Sequence, residues 1–189
     1  YTKFINASSF AQSIDGNSSL PQNLYAASKE SFTTFLNYYA KSLEFNIINL
    51  EFFDCYGSND SRGKIFDLAI KTFTENKLFK MSQGDQEICL IHINDLIRAV
   101  KKAISLFEIN KGISNYTLLN DDNKYKLKEL VFELKNISQS SSVVELGFYP
   151  YRKNEIMDLK SRYSKLPGWN PKIDLSQAVK KIIEDDYNR

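Results

Sequence analysis

The stretch QNLYAASKESFTTFLNYYAKSLEFNIINLEFF, Gln22 to Phe53, decides the fold. Phe32, Phe35, Leu36, Tyr39 and Leu43 keep helical spacing, which predicts a helix from about Ala26. Phe45 to Phe53 is β-branched and aromatic, which predicts a buried strand. A helix feeding such a strand is the unit of a layered α/β sheet. Tyr25 and Lys29 stand four apart at the front of the helix, so they share one face with Phe32 and Leu36.

The alternation continues outward. Lys3 to Ser8 reads as a strand, followed by a polar loop, Ser13 to Asn23, rich in turn formers. Tyr56 to Gly63 reads as a loop, and Ile65 to Phe73 as a helix. Two extended runs flank Gly84 in LFKMSQGDQEICLIHI. Asn94 and Asp95 then cap a helix whose Leu96, Ile97, Val100, Ile104 and Phe107 face inward. SNYTLL is a strand, Leu127 to Ile137 a helix and SVVELGF a strand. Asp174 caps a last helix through Leu175, Ala178, Val179, Ile182 and Ile183. The expected class is α/β: residues 1–63 as the second half of an open sheet and 64–189 mainly as a smaller α/β lobe, with a soft boundary between them.

Composition narrows the function. Hydrophobic residues make up 42% and charged residues 25% of the 189, as in ordinary globular domains. A net charge of +2 with scattered lysines argues against nucleic acid. No apolar run approaches the roughly 20 residues of a membrane span. Cys55 and Cys89 lie in apolar stretches, as buried free thiols of a reducing, cytoplasmic protein would. His92 has no Cys or His partner at metal spacing, so a core or interface histidine and no metal are expected. Trp169 is expected to pack a turn.

The Tyr25–Lys29 pair has workable chemistry. A phenol ionises near 10 in water, so acting as a base near neutrality costs about 4 kcal/mol. An ammonium about 4 Å away, at an effective dielectric of about 20, supplies roughly that much. The positive helix end adds up to about 1 kcal/mol. The spacing alone also describes a surface lysine over a half-buried tyrosine. Three neighbours favour the reactive reading. Ser8 and Ser9 end the preceding strand. Ala26, Ala27 and Ser28 leave room for a flat ligand. EFFDCYGSND ends the next strand at the sheet's carboxyl side, where open α/β sheets bind ligands.

With INASS, LYAASK, LEFFDCYGSNDSR, QGDQEICLIHINDLIRA and YPYRKNEIM…LPGWNPKIDL in this order, the chain resembles the extended short-chain dehydrogenase/reductase family. Within it, the chain is most similar to the branch of CDP-4-keto-6-deoxyhexose reductases and epimerases, such as abequose and paratose synthases. The resemblance implies a Rossmann-like sheet, NAD or NADP as cofactor, a nucleotide-sugar substrate and a possible homodimer. It implies Tyr25 as acid/base and Lys29 as holder of the nicotinamide ribose. Ser9 is the implied hydroxyl partner, with Ser8 as runner-up. Phe53 and Asp54 would flank nicotinamide and sugar. Arg62, Lys64, Gln86 and Arg152 would lie along the diphosphate.

The departures are informative. Asp54 stands where the family often has Asn, and Ile88 where many members have an Arg. Phe10 and Ala11 follow Ser9 where sugar dehydratases carry an Asp-Glu pair, which argues for epimerase or ketoreductase chemistry. None of the seven glycines forms the Gly-rich turn that cradles a pyrophosphate. The chain also opens YTKFINASSF without an initiator methionine or leader. The expectation is the C-terminal portion of a nucleotide-sugar epimerase or 4-ketoreductase for deoxysugar and surface-polysaccharide biosynthesis, inactive alone, with on the order of 100 residues preceding it. The alternatives are a binding or scaffold protein that keeps the fold without the chemistry, and a family member acting on something other than a nucleotide sugar.

Overall fold

A computed structural model of the chain describes residues 2–187. In chain order the elements are β1 (Lys3–Ser9), α1 (Leu24–Ser42), β2 (Asn46–Phe52), β3 (Asp54–Tyr56), α2 (Ile65–Thr74), β4 (Phe79–Lys80) and β5 (Glu87–His92). There follow α3 (Ile93–Leu106), β6 (Ile113–Thr117), β7 (Lys124–Lys126), α4 (Leu127–Ile137), β8 (Val144–Glu145), β9 (Ser164–Lys165) and α5 (Leu175–Asp186).

A four-stranded sheet runs β1-β2-β6-β9, parallel throughout. Parallel strands are covered on both faces, so β2 is almost wholly buried, with Ile47, Ile48 and Leu50 in the interior. A polar row crosses this sheet in register. Asn6 Nδ2 donates to Asn49 Oδ1 at 2.7 Å, and Asn49 Nδ2 donates to Asn115 Oδ1 at 3.1 Å. Each buried amide thereby finds a partner.

The expected single strand Phe45 to Phe53 is in fact two elements. β2 stops at Phe52, and Asp54–Tyr56 pairs with β5 in a second sheet, β3-β5-β7. Tyr56 is therefore a strand residue rather than a loop residue. Phe53 marks the switch, buried and stacked on Phe10 with ring centroids 5.1 Å apart. SVVELGF keeps only Val144–Glu145 as strand, paired with β4.

Two apolar clusters fill the molecule. One lies between the four-stranded sheet, β5 and α3, with Ile48, Leu50, Cys89, Ile91, Leu118 and Trp169. The other joins α2, α4 and α5 through Phe66, Phe73, Leu130 and Val179. Elements from beyond residue 64 contribute to both, since β6 and β9 complete the first sheet. Cys89 is buried, and burial pushes its thiol up to about 12, whereas Cys55 is only partly buried.

Two helices differ from their expected orientation. α1 begins at Leu24, because the Asn23 side chain accepts from Ala26 N at 3.0 Å and caps it. Its buried face is Ala26, Thr33 and Leu36, while Phe35, Tyr39 and Leu43 are exposed. α3 is capped by neither Asn94 nor Asp95. His92 Nδ1 accepts from Asn94 N at 3.2 Å. Burial, with Arg98 and Lys181 nearby, lowers the His92 pKa, which keeps that nitrogen free to accept. Ile97 and Ile104 face outward, because the small Ala99 and Ala103 form the side that lies against the sheet.

Asp95 is instead a fully buried anchor. Its carboxylate pairs with Arg98 and accepts from the backbone of Lys172 (3.1 Å) and Ile173 (3.0 Å). The indole N–H of Trp169 donates to the Asp95 carbonyl at 3.0 Å, so Trp169 packs a turn as expected and ties the C-terminal segment to α3. Asp95→Ala strands two backbone donors and is expected to destabilise the chain by about 3 kcal/mol in urea unfolding. Asp95→Asn keeps an acceptor and should cost clearly less; equal losses would refute the anchor.

Candidate active site

The candidate site is built around the carboxyl end of β1. Ser8 is buried, and its hydroxyl donates to the Leu50 carbonyl at 3.1 Å, so it is committed to the sheet. Ser9 is different. Its Oγ accepts from Ala11 N at 3.3 Å, capping a one-turn helix over Phe10–Gln12. Its hydroxyl proton has no acceptor among the described residues. Between the two serines, geometry therefore favours Ser9.

α1 brings the pair to the same end. Tyr25 lies in its first turn and is 60% exposed, so the phenol is open to a ligand. Lys29 Nζ donates to the Ala7 carbonyl at 3.1 Å and stands 5.9 Å from the Tyr25 ring centroid. Lys29 thus links the first turn of α1 to Ala7, two residues before β1 ends at Ser9, toward the strand ends where open α/β sheets bind ligands.

Phe53 and Asp54 lie at the carboxyl end of the neighbouring strand, β2. Burial pushes the Asp54 pKa up, and the charges of Lys64, Arg62 and Arg152 work against it. Lys64 Nζ lies 3.9 Å from the Asp54 carboxylate. Arg62 is also held by Asp60, with Nε 2.7 Å from Oδ1, and donates to the Cys55 carbonyl at 2.9 Å. Three of the four expected substrate cations and amides therefore act on one carboxylate. The fourth, Gln86, stands just before β5. Its Nε2 reaches Ser82 Oγ at 3.5 Å, and its buried Oε1 has no partner among the described residues. Among those residues no group of three or more His, Cys, Asp or Glu is arranged to hold a metal.

Four residues near the site carry no local sequence signal: Gln12, Glu30, Glu51 and Arg162. Glu30 could have been suspected only as the neighbour of Lys29. Its partner Arg162 is 132 positions away.

Residues 2–115 match the NAD dependent epimerase/dehydratase family. The chain belongs to that family. It is 32% identical over 170 residues to CDP-abequose synthase of Yersinia pseudotuberculosis, covering 88% of this chain and 58% of that protein. The chain thus spans little more than half the length of the curated relatives it matches. The UDP-glucose 4-epimerase of Thermotoga maritima, solved with UDP-glucose, superposes with a TM-score of 0.80 at 19% identity, over 97% of this chain and 62% of that one. RMD from Pseudomonas aeruginosa, solved with NADPH, superposes with a TM-score of 0.76 at 17% identity, over 97% and 66%. The fold of this family member is Rossmann-like. No described helix is long and apolar enough to cross a membrane.

Glu51 gives the site a pH signature. It is buried opposite Ser8, and accepts from Thr117 Oγ1 at 2.6 Å and from Ser161. Burial raises its pKa, only partly offset by Ser161, Thr117 and Arg162. The native state thus holds this proton more tightly than the unfolded chain. Its contribution to stability is then lost as pH rises from the ordinary glutamate value through the raised one. Glu51→Gln is expected to unfold at higher denaturant than wild type at neutral pH, with the gap closing in acid. An unchanged gap across the pH range would refute this.

Proposed function

We propose that the chain carries the catalytic part of an NAD(P)-dependent nucleotide-sugar epimerase or 4-ketoreductase, acting in the cytoplasm on deoxysugars destined for surface polysaccharide. The carrying observation is that Lys29 holds β1 two residues before its end at Ser9 and stands 5.9 Å from the Tyr25 ring centroid. The match to CDP-abequose synthase supports the substrate class.

In this reading Tyr25 exchanges a proton with the sugar oxygen at the carbon that is oxidised or reduced. The Ser9 hydroxyl donates to the same oxygen as negative charge develops on it. Lys29 spends one of its three donors on Ala7 and keeps two for ribose hydroxyls. Phe53 walls the site beside Asp54, and Arg62, Lys64 and Arg152 supply positive charge to a diphosphate. Phe10, stacked on Phe53, and Ala11 offer no acid or base for eliminating water, which supports epimerisation or ketone reduction over dehydration. The exposed Phe35, Tyr38 and Tyr39 of α1 suit a homodimer contact.

The residues present fit the nicotinamide-ribose end of a dinucleotide. None of the seven glycines forms a Gly-x-x-Gly-x-x-Gly turn for its pyrophosphate. When bound, the dinucleotide supplies or accepts the hydride. The 189-residue chain alone is accordingly expected to bind NAD or NADP only weakly in calorimetry, and submicromolar affinity would contradict the division of labour.

The direct test is Tyr25→Phe in the complete enzyme, assayed with a CDP-4-keto-6-deoxyhexose and NADPH. Turnover is expected to be abolished, with dinucleotide affinity within a few-fold of wild type. Near wild-type turnover would sink the assignment.

A further inference from the structure

We propose that Gln12, Glu30 and Arg162 form a positioning relay that sets the Ser9 hydroxyl and links it to the C-terminal segment. The idea rests on the functional reading above, since it takes Ser9 as the group that meets the reacting oxygen.

The relay is continuous. The buried Gln12 uses both ends of its carboxamide: Oε1 accepts from Ser9 N at 2.8 Å, and Nε2 donates to Glu30 Oε2 at 2.6 Å. Glu30 is gripped in turn by the Arg162 guanidinium, whose Nη2 lies 3.1 and 3.2 Å from its two oxygens. Ser19 donates to the same carboxylate, and Arg162 Nη1 donates to Ser19 Oγ at 3.1 Å. Burial pushes the Glu30 carboxyl up, but Ser19, Gln12 and Arg162 outweigh it and hold it below the ordinary glutamate range. It therefore remains a charged acceptor, and charge-assisted bonds of this kind are the stronger ones.

The targets of these bonds are specific. β1 ends at Ser9, and its register with β2 ends at Ser9 opposite Phe52. Consecutive residues of α1 then take hold of alternate residues of β1. Lys29 binds the carbonyl of Ala7, and Glu30, through Gln12, binds the N–H of Ser9. One helix thus sets the distance between Tyr25, on its own first turn, and the hydroxyl that would share a substrate oxygen with it. The Ser9 hydroxyl and the Gln12 carboxamide together form a capping box on the one-turn helix, and the second end of the Gln12 carboxamide carries that box on to Glu30. At the far end, Ser161, next to Arg162, donates to Glu51 of β2 and accepts from Tyr163 N at 3.1 Å, so the anchor is itself fixed.

The test uses the complete enzyme with a CDP-4-keto-6-deoxyhexose and NADPH. Glu30→Gln turns an acceptor into a donor facing either Gln12 or Arg162. Gln12→Glu sets two carboxylates against each other. Each is expected to lower kcat roughly tenfold, with KM for the sugar nucleotide within about twofold. In a Ser9→Ala background the same changes should lower kcat by less than about twofold, because the group they position is gone. The double variant Gln12→Glu/Glu30→Gln reverses the polarity of the link and rebuilds it, so kcat should return to within about threefold of wild type. Equal losses with and without the Ser9 hydroxyl, or no loss in an active enzyme, overturn the relay. If a single variant fails to fold, the double variant decides: recovery supports the relay and non-recovery overturns it. An active Tyr25→Phe enzyme sinks the functional reading instead, whereas inactive Tyr25→Phe beside an unaffected Glu30→Gln sinks the relay alone.

Discussion

Parallel pairing of β1 with β2, with Ser8 opposite Glu51 and Ser9 opposite Phe52, makes the chain leave the sheet at one end. Parallel strands need a crossover between them, and here that crossover is α1. The helix returns over the strand it left, with its first turn beside the end of β1. That constraint carries the remaining geometry. Ser9, Tyr25 and Lys29 lie toward the same end of the sheet because one crossover joins them. Phe53 and Asp54 join them because β2 ends at the same level as β1.

Burying charge near this edge creates the polar network around it. Glu51 sits inside the sheet and is satisfied by Thr117 from β6 and Ser161 from the C-terminal segment. Glu30 sits at the helix–strand junction and is satisfied by Gln12, Ser19 and Arg162. Asp95 does the same work at the base of α3, where it holds the backbone of Lys172 and Ile173. Each carboxylate draws the C-terminal segment toward an earlier part of the chain, because a buried carboxylate must find donors. The stretch between β8 and α5 has only β9 as regular structure, and these acids and Trp169 pin it in place.

Much of this was legible in advance. The α/β alternation follows from periodicity, since the spacing of apolar residues depends on local geometry alone. Tyr25 and Lys29 were readable for the same reason: four apart on a helix means one face. Orientation was less legible. α3 was expected to turn Ile97 and Ile104 inward, yet the interior takes Ala99 and Ala103, because close helix–sheet packing there favours small side chains over large ones. β2 and β3 read as one apolar run, since no local signal marks a chain passing from one sheet to another.

By itself, then, the order of residues determined the class of fold, the reactive-looking pair and the family resemblance, all of which rest on short-range spacing or ordered motifs. Only the tertiary structure distinguishes the surroundings of Ser8 and Ser9, because these depend on which hydroxyl the neighbouring strand claims, and Leu50 claims Ser8. Only it could join Glu30 to Arg162 across 132 positions. Ion pairs and hydrogen bonds act over a few ångströms of space, and chain separation says little about which groups come that close.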